Sequence, residues 1–346
     1  MSGADDLFSV MTVHALDVST ETAEHVALDR WGIAARARAL TGERDRNFRL
    51  TADDGREFVL KFANPAEDAG VTHMQIAALH HIARTDPTLP VPRVIALPDG
   101  AVETLVTHET GAIQRVRLLS WLPGTNLVRS RRSIAQCEGC GTLLARVQLA
   151  LADFAHPAAD HALVWDLKQT LRMREVMFAL TDTAARDQVN AVFDAFESRV
   201  TPALPHLRRQ IVHNDMNGLN TLVDDTDRIA ALIDFGDTVN TAIIIDVATA
   251  GPTQSVPGLP RAETLACFVG AFHRIRPLLP EEIALLPLLC ASRVAISLVL
   301  QSWHRHVQPD NPHYTTMTPD DIAARLAVMA ELMAPGTAAQ VRQATR

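Results

Sequence analysis

Ile211-Val212-His213-Asn214-Asp215-Met216-Asn217-Gly218-Leu219-Asn220-Thr221-Leu222-Val223, followed closely by Ile229-Ala230-Ala231-Leu232-Ile233-Asp234-Phe235-Gly236-Asp237, decides how the chain is read. Two apolar runs, 221–223 and 229–233, flank the polar turn Asp224-Asp225-Thr226-Asp227. That pattern predicts a short antiparallel hairpin. A hairpin brings its outer ends together, so Asn220, entering the first strand, and Asp234, leaving the second, are expected to converge, with Asp215 on the preceding loop. An amide oxygen and carboxylates are hard donors suited to Mg²⁺, which points to phosphoryl transfer.

The chain around this hairpin has the balance of an ordinary globular protein. It has 346 residues, 47% hydrophobic and 21% charged, with a formal net charge of −8. That length allows a two-lobed unit with a sizeable core. The acidic balance argues against nucleic acid or an anionic membrane as the main partner. Residues 1–6 lack the basic start and apolar run of a secretory leader, so a cytoplasmic location is expected. The apolar stretch 284–300 contains Pro287, Arg293, Ser292 and Ser297 and reads as a buried helix rather than a membrane span. Cys137 and Cys140 have no second pair, and Cys267 and Cys290 stand alone, so all four are read as structural thiols. His80, His81, His304 and His306 lack metal-ligand spacing and read as surface residues.

Before the hairpin, residues 35–40, 48–51, 57–62, 94–97, 103–107 and 115–120 read as strands, and 65–83 as a helix with apolar positions at Val71, Met74, Ala78 and Ile82. Beyond Gly124 long helical patterns take over at 133–152, 168–180, 183–199, 261–274, 281–301 and 318–333. The expected organisation is a small antiparallel-sheet lobe, 1–119, and a larger, mainly helical lobe, 120–346. Lys61 alternates with apolar neighbours on the third strand. The 243–248 run would bury Asp246 at a helix start, where it needs a partner; a bond to the catalytic loop is expected.

His213-x-Asp215, four residues, Asn220, then Asp234-Phe235-Gly236 resembles the catalytic loop and metal-binding segment of protein-kinase-like enzymes. With Asn214 in the middle position it is closer to the aminoglycoside phosphotransferase superfamily. The runs 116–124, 164–168 and 233–237 are similar to the hydroxylysine-kinase branch of that superfamily. The resemblance covers most of the chain and implies a two-lobed α+β fold of the protein-kinase kind. It implies Mg²⁺-dependent transfer of the γ-phosphate of ATP or GTP to a hydroxyl of a small, cationic molecule, with a hydroxylated amino acid such as 5-hydroxylysine favoured. An aminoglycoside or amino-alcohol acceptor is the alternative enzyme reading, and a pseudokinase-like binding module the non-enzymatic one.

The same resemblance implies residue roles. Asp215 would orient the acceptor hydroxyl and take its proton; Asn220 and Asp234 would hold Mg²⁺; Lys61 would hold the nucleotide phosphates as a compact cation. Asn47, in the polar loop 41–48, would touch the phosphates as well. Ser120, Trp121 and Leu122 would offer backbone groups to the purine edge. Position 75, where kinases place the glutamate that pairs with the strand lysine, holds Gln75, a weaker partner for an ammonium. His213 would tie the loop backbone together. Asp237, Trp165, Asp166 and Arg293 are candidate substrate-side residues.

Overall fold

Alternating residues of two neighbouring strands lie on one face, so Phe48, Leu50, Phe58, Leu60 and Phe62 share a face and bury it with Val26, Ala27 and Trp31. The computed structural model describes residues 7–8, 13, 16–42, 44–108, 110–309 and 317–346. The leader reading on residues 1–6 and Glu43 of the polar loop lie outside the described residues. The chain divides into two units, Met1–Pro123 and Gly124–Arg346.

In the first unit, α1 (Thr20–Trp31) is capped by Ser19, whose Oγ accepts the Thr22 N–H at 3.1 Å, and ends at Gly32 with φ 66°. Then come β1 (Ala35–Leu40), β2 (Arg46–Ala52), β3 (Glu57–Phe62), α2 (Ala69–Thr85), β4 (Val94–Ile95), β5 (Thr104–Thr107) and β6 (Ile113–Ser120). All pairings are antiparallel, in the order β1-β2-β3-β6-β4 with β5 also on β6. The turn between β2 and β3 places Gly55 at φ 84°, a left-handed conformation that glycine adopts without steric cost. Phe48 meets Phe62 edge to face, ring centroids 5.8 Å apart, an arrangement worth about 0.5–1.5 kcal/mol beyond its buried area.

The second unit opens with β7 (Thr125–Asn126), which joins a three-stranded sheet with β9 (Thr221–Val223) and β10 (Ile229–Leu232). The hairpin expected from the sequence is therefore present, with a register shift between Ile229 and Ala231. β8 (Arg209–Val212) pairs with β11 (Val239–Ala242). Around them lie α3 (Ile134–Ala150), α4 (Thr183–Arg199), α5 (Ile243–Ala250), α6 (Arg261–Ile275), α7 (Pro280–Val307), α8 (Pro319–Met333) and α9 (Pro335–Ala344). α7 is long and apolar enough to cross a bilayer by composition, but 78% of its apolar window is buried inside the fold, as a core helix requires. Cys137 and Cys140 are buried and unbridged on α3; burial pushes Cys140 to about 12.

One expectation is refined, one is corrected, and two helices are added. The helical segment expected over 168–180 is present as a 3₁₀ helix, Leu167–Ala179. Four of its five buried residues, Leu167, Thr170, Met173 and Val176, recur every third position, which matches three residues per turn. His304, read as a surface residue, is buried near Trp303 and Trp165, with ring centroids 5.0 and 6.4 Å away, and burial lowers it to about 4. α1 and α9 were not expected at all.

Candidate active site

The backbone of the 213–217 loop is pinned from three sides. Asp246, fully buried at the start of α5, accepts the Asn214 N–H at 2.8 Å and Gln148 Nε2–H at 2.8 Å. His213 Nδ1 accepts the Asp215 N–H at 3.1 Å, and its Nε2 bonds the Ile233 carbonyl at 3.2 Å, tying the loop to the far strand of the hairpin. Burial lowers the His213 pKa and keeps the ring neutral, as these two roles require. Its ring meets Phe235 edge to face at 4.7 Å. Asn214 and Asp234 both take positive φ, 62°, a region that Asn and Asp visit more readily than other non-glycine residues.

The pinned loop presents Asp215 to a set of polar groups. Asn217 Nδ2 donates to Asp215 Oδ1 at 2.9 Å, and Asn220 Nδ2 donates to Oδ2 at 2.6 Å. Asn220 also donates to the Asp215 carbonyl at 3.1 Å. These bonds use the amide nitrogen and leave Asn220 Oδ1 outside them. The Asn220 carbonyl accepts the Ile233 N–H at 2.8 Å, so Asn220 and Asp234 sit at neighbouring positions on the open end of the hairpin. Asp234 is exposed, and its Oδ1 accepts the Gly236 N–H at 3.2 Å. Asp237 is buried beside them.

Arg293, on α7, brings the balancing cation. Its Nη2 lies 3.6 Å from Asp215 Oδ1, its guanidinium stacks 4.6 Å from the centre of the Trp165 ring, and Nη1 bonds the Trp165 carbonyl at 3.4 Å. Burial and the Asp237 carboxylate still push Asp215 up to about 8, against the pull of Arg293. Trp165 and Arg293 therefore join the Asp215 cluster, whereas Asp166 does not. Asp166 is buried, caps the 3₁₀ helix at the Lys168 N–H (3.0 Å), accepts Thr241 Oγ1–H at 3.0 Å and pairs with Lys168 at 3.2 Å. It is scaffold.

In the first unit, Lys61 and Arg117 stand opposite each other on β3 and β6, and Asn47 stands opposite Lys61 on β2. Asn47 belongs to the strand rather than to the loop. Gln75 Oε1 accepts Arg117 Nη2–H at 2.7 Å, and a carboxylate beside Lys61 is that of Asp45, at 3.5 Å. At the end of β6 the Ser120 and Trp121 N–H groups already donate to the Arg93 and Glu57 carbonyls, at 2.8 and 3.2 Å. Of that triplet Leu122 is left to offer a backbone donor among the described residues. The Arg49 guanidinium lies 4.3 Å from the centre of the Trp121 ring.

Among the described residues no three His, Cys, Asp or Glu side chains are grouped as a metal cage. A Mg²⁺ completed by phosphate oxygens and water needs only one or two protein carboxylates, and the Asn220 and Asp234 oxygens fit that requirement.

An antiparallel sheet unit carrying a buried lysine, and a helical unit carrying an aspartate loop and a hairpin with Asn220 and Asp234 at its open end, are those of a kinase-like phosphotransferase of small molecules. The chain belongs to the phosphotransferase enzyme family, whose sequence profile matches residues 36–278. It is 28% identical over 301 residues to hydroxylysine kinase of Mus musculus, covering 79% of each chain. Among solved structures it is similar to the microcompartment-associated aminopropanol kinase, with TM-score 0.69, 17% identity, and 94% of this chain and 97% of that one covered. The amicoumacin kinase hAmiN, solved in complex with AMP-PNP, Ca²⁺ and Ami, matches with TM-score 0.68 and 13% identity over 91% of this chain and 93% of that one.

Proposed function

We propose that the protein transfers the γ-phosphate of a nucleoside triphosphate, with Mg²⁺, to the hydroxyl of a hydroxylated amino acid of the 5-hydroxylysine type. The observation that carries this reading is the pairing of Asp215 with Arg293 on the Trp165 platform. Asp215 accepts two amide N–H bonds that fix its oxygens, so it can align an acceptor hydroxyl, and its raised pKa makes it a better proton acceptor than an ordinary carboxylate. Arg293 has five N–H donors in a planar fork, enough to face Asp215 and also receive an acceptor carboxylate. Asp234 and Asp237 supply negative charge for an acceptor ammonium.

Asn220 and Asp234 would hold the Mg²⁺, which when bound offsets charge on the phosphate oxygens. Lys61 would hold the nucleotide phosphates. The hydroxylysine kinase relative and the AMP-PNP and Ca²⁺ in the amicoumacin kinase structure support the acceptor class and the donor chemistry respectively. An amino alcohol, which lacks a carboxylate, would leave Arg293 without its second partner. Four unbridged cysteines accord with a reducing cytoplasm as the site of the reaction.

The roles separate in two variants. Asp234→Ala should abolish Mg²⁺-dependent nucleotide binding measured by calorimetry. Asp215→Ala should retain that binding and lose turnover by about 10²-fold or more, the usual scale for a positioned base. Equal loss of binding in two folded variants would contradict the assignment.

A further inference from the structure

The polar face of the small sheet carries a charge pattern that phosphate binding by Lys61 does not by itself explain. Lys61 and Arg117 stand directly opposite each other on β3 and β6, and both are buried. Like charges in that register repel, and buried charges require partners. A glutamate at position 75 would supply one, but Gln75 is neutral and gives its Oε1 to Arg117 at 2.7 Å.

The negative charge comes from the loop between β1 and β2. Asp45 Oδ2 lies 3.5 Å from Lys61 Nζ and 3.6 Å from Arg117 Nη2. Its other oxygen, Oδ1, accepts the Asn64 N–H at 3.1 Å, and Asn64 Nδ2 returns a bond to the Arg44 carbonyl at 3.3 Å. The carboxylate is thus held by the strand end as well as by the two cations. Next to Lys61 in the sheet register, Asn47 Oδ1 is buried with no hydrogen-bond partner among the described residues.

We propose that Asp45 is the positioning carboxylate of Lys61, taking over from the loop the role that position 75 of the helix leaves neutral, with Arg117 as the second cation that holds it. The proposal rests on the reading of Lys61 as the phosphate-binding lysine. It removes the argument for a pseudokinase that Gln75 alone would offer, because the lysine keeps an acidic partner. It also places that partner on the loop expected to cover the phosphates, so nucleotide binding and lysine orientation share one segment.

Asp45→Asn isolates the charge, because its amide oxygen can still accept the Asn64 N–H. The expected result is a nucleotide KM raised about tenfold, equivalent to about 1.4 kcal/mol, with the melting temperature little changed. Gln75→Glu in the Asp45→Asn background should bring KM back to within about threefold of the wild type, because a carboxylate beside Arg117 restores the lost charge. A loop aspartate with only a structural role would not be rescued from another element. An unchanged KM in Asp45→Asn, or a double variant no better than the single one, overturns the proposal. Lys61→Ala is measured alongside. If it leaves nucleotide KM unchanged, the phosphate-binding reading itself fails; if it raises KM while Asp45→Asn does not, only the role of Asp45 fails. Should Asp45→Asn lose its fold, Asp45→Glu gives the second reading: a longer carboxylate that restores folding must also restore nucleotide KM for the proposal to stand.

Discussion

Asp215 holds its proton to about pH 8 in the folded protein because burial and the Asp237 and Asp234 carboxylates oppose its charge, while Arg293 and Asn217 favour it. In the unfolded chain the same group ionises near 3.8. The folded state therefore binds this proton more tightly, and stability from the group is lost as pH rises from 3.8 toward 8. For turnover the sign is reversed, because the ionised form is needed: kcat/KM for the acceptor should climb well above the ordinary carboxylate range before levelling. Asp237→Asn should move that limb to lower pH and Arg293→Gln to higher pH, read from full pH profiles of each variant. A limb near 4 that neither substitution moves would remove Asp215 as the titrating group. The residues of this cluster that sit on the hairpin's open end and the loop leading into it, His213, Asp215, Asn220 and Asp234, were legible because they are close in the sequence. Asp45 and Arg117 were not legible, because their meeting depends on sheet register, which no local pattern in the sequence states.

At the scale of elements, α3 and α6 pack so closely that a Cβ at Gly141 would lie 2.1 Å from the Phe268 carbonyl oxygen and 3.0 Å from the Phe272 nitrogen. Both are backbone atoms of α6 and cannot swing aside. Gly141→Ala should therefore destabilise the protein despite its better helix propensity, by about 1–3 kcal/mol for an overpacked core, measured as a lowered midpoint of chemical denaturation. A gain in stability would show that the two helices are further apart. Most elements were readable because their apolar residues keep a clean period: β3 (Glu57–Phe62) and α4 (Thr183–Arg199) fall where the pattern puts them. The segment over 168–180 was legible as a helix, but its 3₁₀ winding was not. α1 was overlooked although both its signals stand in the sequence, the Ser19 cap and Gly32 at its end; its faces do not separate sharply enough to mark a helix without the caps.

The whole molecule carries a formal net charge of −8, and the described carboxylates Asp234 and Asp237 concentrate part of it where the acceptor is proposed to bind. α7 runs through the core of the large unit and carries both Arg293 and, near its end, His304, which lies against Trp165. Arg293 is therefore set by one rigid helix, and Trp165 meets it from the turn that precedes the 3₁₀ helix. The family and the phosphate chemistry were legible in the sequence because they rest on a few short, fixed motifs. Arg293 and Trp165 could each be named from the sequence, but their contact could not, because they are separated by 128 positions and meet only through the packing of α7. The most direct test is to incubate the purified protein with Mg²⁺ and nucleotide against 5-hydroxylysine, homoserine, choline, ethanolamine and kanamycin, and to follow the appearance of a phosphate monoester on each by ³¹P NMR. A phosphorylated hydroxyamino acid formed fastest, and lost in Asp215→Ala, is the predicted result. Phosphorylation of kanamycin alone would contradict the amino-acid assignment, and no phosphate monoester on any of the five, with nucleotide bound, would contradict it as well.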